Sequence, residues 1–114
     1  MDDRDGRYAA YTARLLDSVL TTPGQVETDV RRAITARAAG RPYSPPPAVP
    51  AALAGYVDKV ALHAYKVTDA DIAALQRAGT ADDTLFEVTV AAAVGAALGR
   101  LERGLAALRG SRGD

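Results

Sequence analysis

At 114 residues, with 14 Lys and Arg balanced by 14 Asp and Glu, the chain has room for one hydrophobic core and no positive excess for nucleic acid. Cysteine is absent and histidine occurs once. Disulfides, thiol nucleophiles, thiolate metal sites and multi-histidine centres are thereby excluded, and no metal or cofactor is expected. Much of the apolar content is alanine, Trp is missing and Phe occurs once. Alanine is the best helix former and strands prefer β-branched and aromatic residues, so composition predicts an all-α fold. The acidic start Met1-Asp2-Asp3-Arg4-Asp5 has no apolar run behind it and does not read as a signal peptide. The longest apolar stretch, Val88 to Gly99, is short of the ~20 residues of a membrane span. A cytoplasmic protein with no membrane partner is expected.

Tyr8, Tyr11, Leu15 and Val19 recur at three- and four-residue spacing and predict a first helix from about Gly6 to Leu20. Thr22 reads as an N-cap with Pro23 at the first helical position, opening a second helix to Ala39 that Gly40 closes. Val26, Val30, Ile34 and Ala38 form its inward face. The segment 41–50, rich in proline, cannot be helical and reads as a polyproline-like connector, a spacer or a strap for a partner. A third helix is predicted from near Pro50 to about Lys66, with Leu53, Tyr56, Val57, Val60 and Ala64 on one face.

Thr68-Asp69-Ala70-Asp71 places a capping hydroxyl before two acids, where the helix dipole favours negative charge. The short fourth helix carries Ile72 and Leu75 and ends at Gly79. Thr80-Ala81-Asp82-Asp83 repeats the device and launches a last helix as far as Leu108. One domain over 1–109 with a disordered tail at 110–114 is expected. From Val88 to Gly99 the last helix is apolar or small on every side, and a helix of that kind needs cover all round. Gly95, Gly99 and Gly104 each cost about 1 kcal/mol relative to Ala inside a helix. Close contact with a second copy of the chain would account for them, so a homo-oligomer is expected.

Thr68-Asp69-x-Asp71-Ile72-x-x-Leu75-x-x-x-Gly79, followed by Asp83-x-x-Phe86-Glu87-x-x-Val90-x-Ala92-Ala93, resembles the carboxymuconolactone decarboxylase and alkylhydroperoxidase D-like superfamily. The resemblance covers roughly Leu53 to Leu105. It implies an all-α fold of about five helices assembling as a trimer or hexamer through its helices. Redox members carry a Cys-x-x-Cys-x-x-x-His helix. Counting back from Gly79 puts those positions on Ala64, Val67 and Asp71, while anchoring on His63 puts the cysteines on Tyr56 and Lys59. Neither register supplies a thiol, so this chain is not a thiol peroxidase. The decarboxylase branch uses no cysteines, and proton chemistry on a small organic acid or lactone stays open.

Two residues qualify as proton carriers. Glu87 shares a face with Val90, Ala91, Val94 and Leu98, and a carboxylate at the mouth of an apolar pocket can serve as general acid or base. His63 is of the type that titrates near neutrality, and a relay with Glu87 requires the third and fifth helices to pack together. The competing expectations are a Glu paired with a neighbouring Arg and a boundary histidine. Tyr56 and Tyr65 can offer hydroxyls, or serve as core residues with a wet tip. Arg31, Arg32, Arg37 and Arg41 suit either an anion or the end of their own helix. A ligand-binding or non-redox enzyme and a non-catalytic accessory subunit of a partner enzyme are the two functional classes left.

Overall fold

The computed structural model describes residues 3–41 and 49–112. It shows an all-α fold of five helices: α1 (Asp3–Thr21), α2 (Thr28–Ala38), α3 (Ala51–His63), α4 (Asp69–Arg77) and α5 (Asp82–Arg112). One 3-10 turn, Ala64–Lys66, follows α3, and no strand occurs among the described residues. Most of the connector expected at 41–50 lies outside them.

α5 is the axis of the fold. Its 31 residues extend over about 45 Å at the ordinary helical rise. α2 and α3 pack across its first half, α1 runs beside it, and α4 leans on α3. Ile34 of α2, Val57 of α3 and Val88 of α5 are fully buried at the centre. Val26, Leu53, Tyr56, Val60, Ala91 and Ala92 surround them, and Val30, Ala38, Ile72 and Leu75 close the edge. The inward faces expected for the second and third helices are those observed, except that Ala64 is exposed because the α-helix ends one residue earlier. A core of such small side chains gains enough burial only if backbones come close.

The glycines of α5 permit that approach, and the partner is α2 of the same chain. A Cβ on Gly99 would lie 2.7 Å from the carbonyl oxygen of Ala39, and one on Gly95 would overlap the carbonyl of Thr35. These two glycines therefore do not need a sister chain. Gly104 meets nothing within 4 Å. Ala91, Ala92, Gly95, Ala96, Leu98 and Gly99 are buried within one subunit, whereas Ala93 and Ala97 are exposed. A single chain thus covers most of the circumference and leaves one stripe open.

Glycine also ends two helices as expected. Gly40 has φ of 76° and Gly79 φ of 103°, the left-handed conformation that only glycine adopts cheaply. Behind each, two amides close the helix end: Arg41 donates to Ala36 and Gly40 to Arg37, and Thr80 to Leu75 and Gly79 to Gln76. This is the Schellman arrangement. At Thr68 the expected cap forms as a full capping box, the hydroxyl accepting from the Asp71 amide and the Asp71 carboxylate from the Thr68 amide. Lys59 of α3 joins it, 2.8 Å from Asp71 Oδ2.

Other boundaries differ. α2 begins at Thr28, not at Pro23, and residues 22–27 form a bend. Thr80 is occupied in closing α4, so α5 starts at Asp82, with the Ala81 carbonyl accepting from Leu85. α5 runs beyond Leu108 to Arg112, so the tail expected from Gly110 is helical through that residue. On α1 the face toward the protein is Thr12, Leu16, Val19 and Leu20, each half-buried, while Tyr11 and Leu15 are 54% exposed. Of the expected face Tyr11 and Leu15 turn outward, while Val19 stays on the inward side. Tyr8 lies outside the described side chains.

One helix among the described residues is long and apolar enough to cross a membrane by length and composition, over Asp82–Gly110. Counting only the unbroken run Val88–Gly99 hides this, because Leu85 and Phe86 before it and Leu101 after it lengthen the apolar stretch around only two charges, Glu87 and Arg100. Of the 18-residue apolar window within it 44% is buried inside the fold, and the core helix of a globular protein passes the same test.

Two predictions follow from this packing. Gly95→Ala, which drives a methyl into the Thr35 carbonyl, is expected to destabilise by about 1–3 kcal/mol. Gly55→Ala, with open space around it, should stabilise α3 by up to about 1 kcal/mol. Urea denaturation of both variants checks the contrast. Asp71 is held below the usual carboxylate range by Lys59 and the Thr68 amide, and Asp58 by the Arg37 guanidinium. Unfolded, each titrates near pH 4, so their contribution is complete above that pH and disappears as pH falls through the lower folded values. The urea midpoint should drop on acidification below about pH 4, and Asp71→Asn should flatten the drop.

Candidate functional site

Glu87 sits just past the first turn of α5, half-buried, facing the bend between α1 and α2. Both carboxylate oxygens lie 2.9 Å from the Gln25 amide, and Oε2 accepts from the Val26 amide at 3.0 Å. Gly24 leaves room for this, since a Cβ there would collide with the carboxylate. The bend precedes α2, whose N-cap position, Glu27, makes no side-chain cap. A side chain some sixty residues away in sequence thus satisfies the free amides that approach the helix start.

Arg31 holds the same bend from the other side. It is 6% exposed; its Nε donates to the Val26 carbonyl at 2.9 Å and its Nη1 to the Val19 carbonyl near the end of α1 at 2.7 Å. Nη2 reaches the Thr28 hydroxyl at 3.4 Å. Val26 is therefore gripped by an anion at its N–H and a cation at its C=O. Among the described residues no carboxylate forms an ion pair with Arg31. Cations favour a helix C-terminus, and the Val19 carbonyl belongs to the last turns of α1.

An open groove of about 480 Å³ runs beside this clamp, lined by Val19, Arg31, Asp83, Phe86, Glu87 and Val90 among others. Phe86, on its rim, is 71% exposed. The groove offers one buried cation, a carboxylate already bonded to two amides, an acid in the first turn of α5 and an apolar wall. Its chemistry suits binding more readily than proton transfer, because Glu87 has both oxygens engaged.

His63 lies elsewhere. It is exposed at the C-terminal end of α3, its ring edge-on to Tyr65 with centroids 6.1 Å apart. Helices α3 and α5 do pack together, as a relay would require. The end of α3 meets α5 near Arg100, which donates to the Ala61 carbonyl at 2.8 Å. Glu87 is more than three turns away along α5, about 20 Å of rise. The structure does not bring the two residues into one cavity.

Tyr56 is buried, and its hydroxyl lies 2.7 Å from Thr89 Oγ1, which in turn donates to the Leu85 carbonyl. With the threonine proton spent, Tyr56 is the donor. Tyr65 is 80% exposed. The arginine group of α2 disperses: Arg31 goes into the clamp, Arg32 to solvent, Arg37 forms a two-point pair with Asp58, and Arg41 pairs with Glu102 of α5. Among the described residues no three His, Asp or Glu side chains gather as metal ligands.

No family model matches the chain, and no curated protein or solved structure is detectably similar to it. In the sequence Arg31 belongs to an arginine cluster at the end of α2. The signal that separates it is its place one residue after Val30 on an inward-facing turn, where a guanidinium must find carbonyls.

Replacing Glu87 tests the clamp. Glu87→Gln keeps the shape but loses the charge and one acceptor, and should cost about 1–3 kcal/mol, read as a lower urea midpoint with helical circular dichroism unchanged. Wild-type stability in this variant would remove Glu87 from the structural role assigned to it.

Proposed function

We propose that the chain is a self-assembling cytoplasmic protein of the carboxymuconolactone decarboxylase-like type, without redox chemistry, acting as a non-catalytic accessory or interaction subunit. The observation that carries this reading is the engagement of Glu87: the carboxylate best placed for catalysis spends both oxygens on the amides of Gln25 and Val26. The absence of cysteine from the sequence removes the thiol route. The family resemblance is supported by the local form of its motif, a boxed Thr68, a left-handed Gly79 and an acid-started α5. Apolar residues left open on α1 and α5 support assembly.

A second reading, binding of a small organic acid or lactone, is favoured by one feature. Arg31 lines the groove beside Glu87 with three of its five N–H donors accounted for. One experiment separates the two. The tagged protein is recovered from its native host through several purification steps and its companions are weighed. The accessory reading expects one enzyme at fixed stoichiometry whose activity falls when this chain is removed. A homo-oligomer that carries no protein partner but binds small carboxylic acids, with binding lost in Glu87→Gln, overturns it in favour of the ligand reading.

A further inference from the structure

The stripe of α5 that its own subunit leaves open has a repeat of its own. Val90, Val94, Ala97, Leu101, Gly104 and Leu108 follow one another at alternating spacings of four and three residues. That is the 3.5-residue period of a helix seam that pairs with another helix. Val90 and Val94 are half-buried, and the stripe from Ala97 onward is exposed, with Leu101 at 43% and Leu108 at 57%. Beside it lies an apolar groove of about 290 Å³, lined by Leu15, Leu16, Ala93, Val94, Ala97 and Leu101.

We propose that a second copy of this chain occupies this face, its α5 running antiparallel across a two-fold axis at the level of Gly99. The assignment rests on the self-assembly reading above and specifies its surface and its symmetry. The seam alternates in size: Val94, Leu101 and Leu108 are large where Ala97 and Gly104 are small. When two such helices run antiparallel, the two kinds of seam position face each other. Leu101 then meets the partner's Ala97, Val94 the partner's Gly104, and Leu108 the partner's Val90. Every contact is made twice, as a two-fold interface requires, and in two of the three pairs a large side chain faces a small one, as in well-packed cores. A parallel pairing would set Leu101 against Leu101 and leave Gly104 facing Gly104, an alternation of crowding and void.

The open area is of the right size. Tyr11, Leu15, Leu101 and Leu108 are each about half exposed, and at roughly 150–200 Å² for a large apolar side chain they leave on the order of 350 Å² uncovered. A standard interface takes about 800 Å² from each partner, somewhat over half of it apolar. Ala93, Ala97, Ala107 and the apolar groove supply the remainder. Gly104, where an added Cβ would meet nothing within 4 Å among the described residues, gains a neighbour. A two-fold seam also selects among assemblies: it fits a dimer or a hexamer and not an isolated trimer.

The cysteine-free sequence makes the test clean. Ala97 and Leu101 are exposed, so single cysteines at either position leave the fold intact, with circular dichroism as the check. When Ala97→Cys and Leu101→Cys chains are mixed and oxidised, the mixed disulfide should form at least about tenfold faster than Ala97→Cys links to itself, because only the mixed pair brings its Cβ atoms within disulfide reach. Leu101→Glu should sediment as a smaller species than wild type with unchanged helicity. Ala97→Cys linking to itself as fast as to Leu101→Cys overturns the antiparallel register. A wild-type oligomer that Leu101→Glu leaves intact overturns the surface while self-assembly stands. A wild-type protein sedimenting as one subunit at high concentration overturns both.

Discussion

The structure depends on how closely α2 and α5 approach. Cores built from Ala, Val and Leu have little depth per side chain, so burial has to come from bringing helix axes together. Gly95 and Gly99 make that possible, since one faces the Thr35 carbonyl of α2 and the other the Ala39 carbonyl just past its end, where a methyl group would collide. The glycines weaken α5 as an isolated helix by about 1 kcal/mol each and return it as contact. Ile34, Val57 and Val88 close over that contact and define the centre of the fold.

The same approach creates a need at the start of α2. With α2 drawn in against α5, the bend from Thr22 to Glu27 lies against the first turns of α5, and the amides of Gln25 and Val26 take Glu87 as their acceptor. Glu87 and Arg31 resolve this together, one accepting from the bend and the other donating to it. Arg31 spends its donors on two carbonyls and a hydroxyl, and among the described residues no carboxylate forms an ion pair with it. The groove beside them is a by-product of a strut. That is why its most conspicuous acid is better understood as architecture than as chemistry.

Sequence and structure agree where the cause of a feature is local. The left-handed turns at Gly40 and Gly79 and the cap at Thr68 follow from residues within one turn of each site. They part where the cause is distant. Thr22-Pro23 has the form of a helix start, but the acceptor for the neighbouring amides comes from Glu87, and nothing near Pro23 announces it. The glycines of α5 signal a close neighbour without saying whether it belongs to the same chain. The Tyr–Leu face of α1 has a helical period, and period alone cannot say which way a helix rolls when two of its faces are partly apolar. Glu87 stands out as a residue of interest because it sits among apolar neighbours, and that placement is equally what a half-buried strut requires.

No side chain of α1 whose burial is described is fully buried, and the helix is joined to the rest through the bend that Glu87 and Arg31 hold. Its free energy of detachment is therefore smaller than that of opening the whole fold, and α1 forms a separate cooperative unit. Amide hydrogens of α1 will exchange with solvent through its own partial opening while those around Ile34 and Val88 await global unfolding. The molecule has two thresholds of stability, and the clamp at Val26 is where one passes into the other.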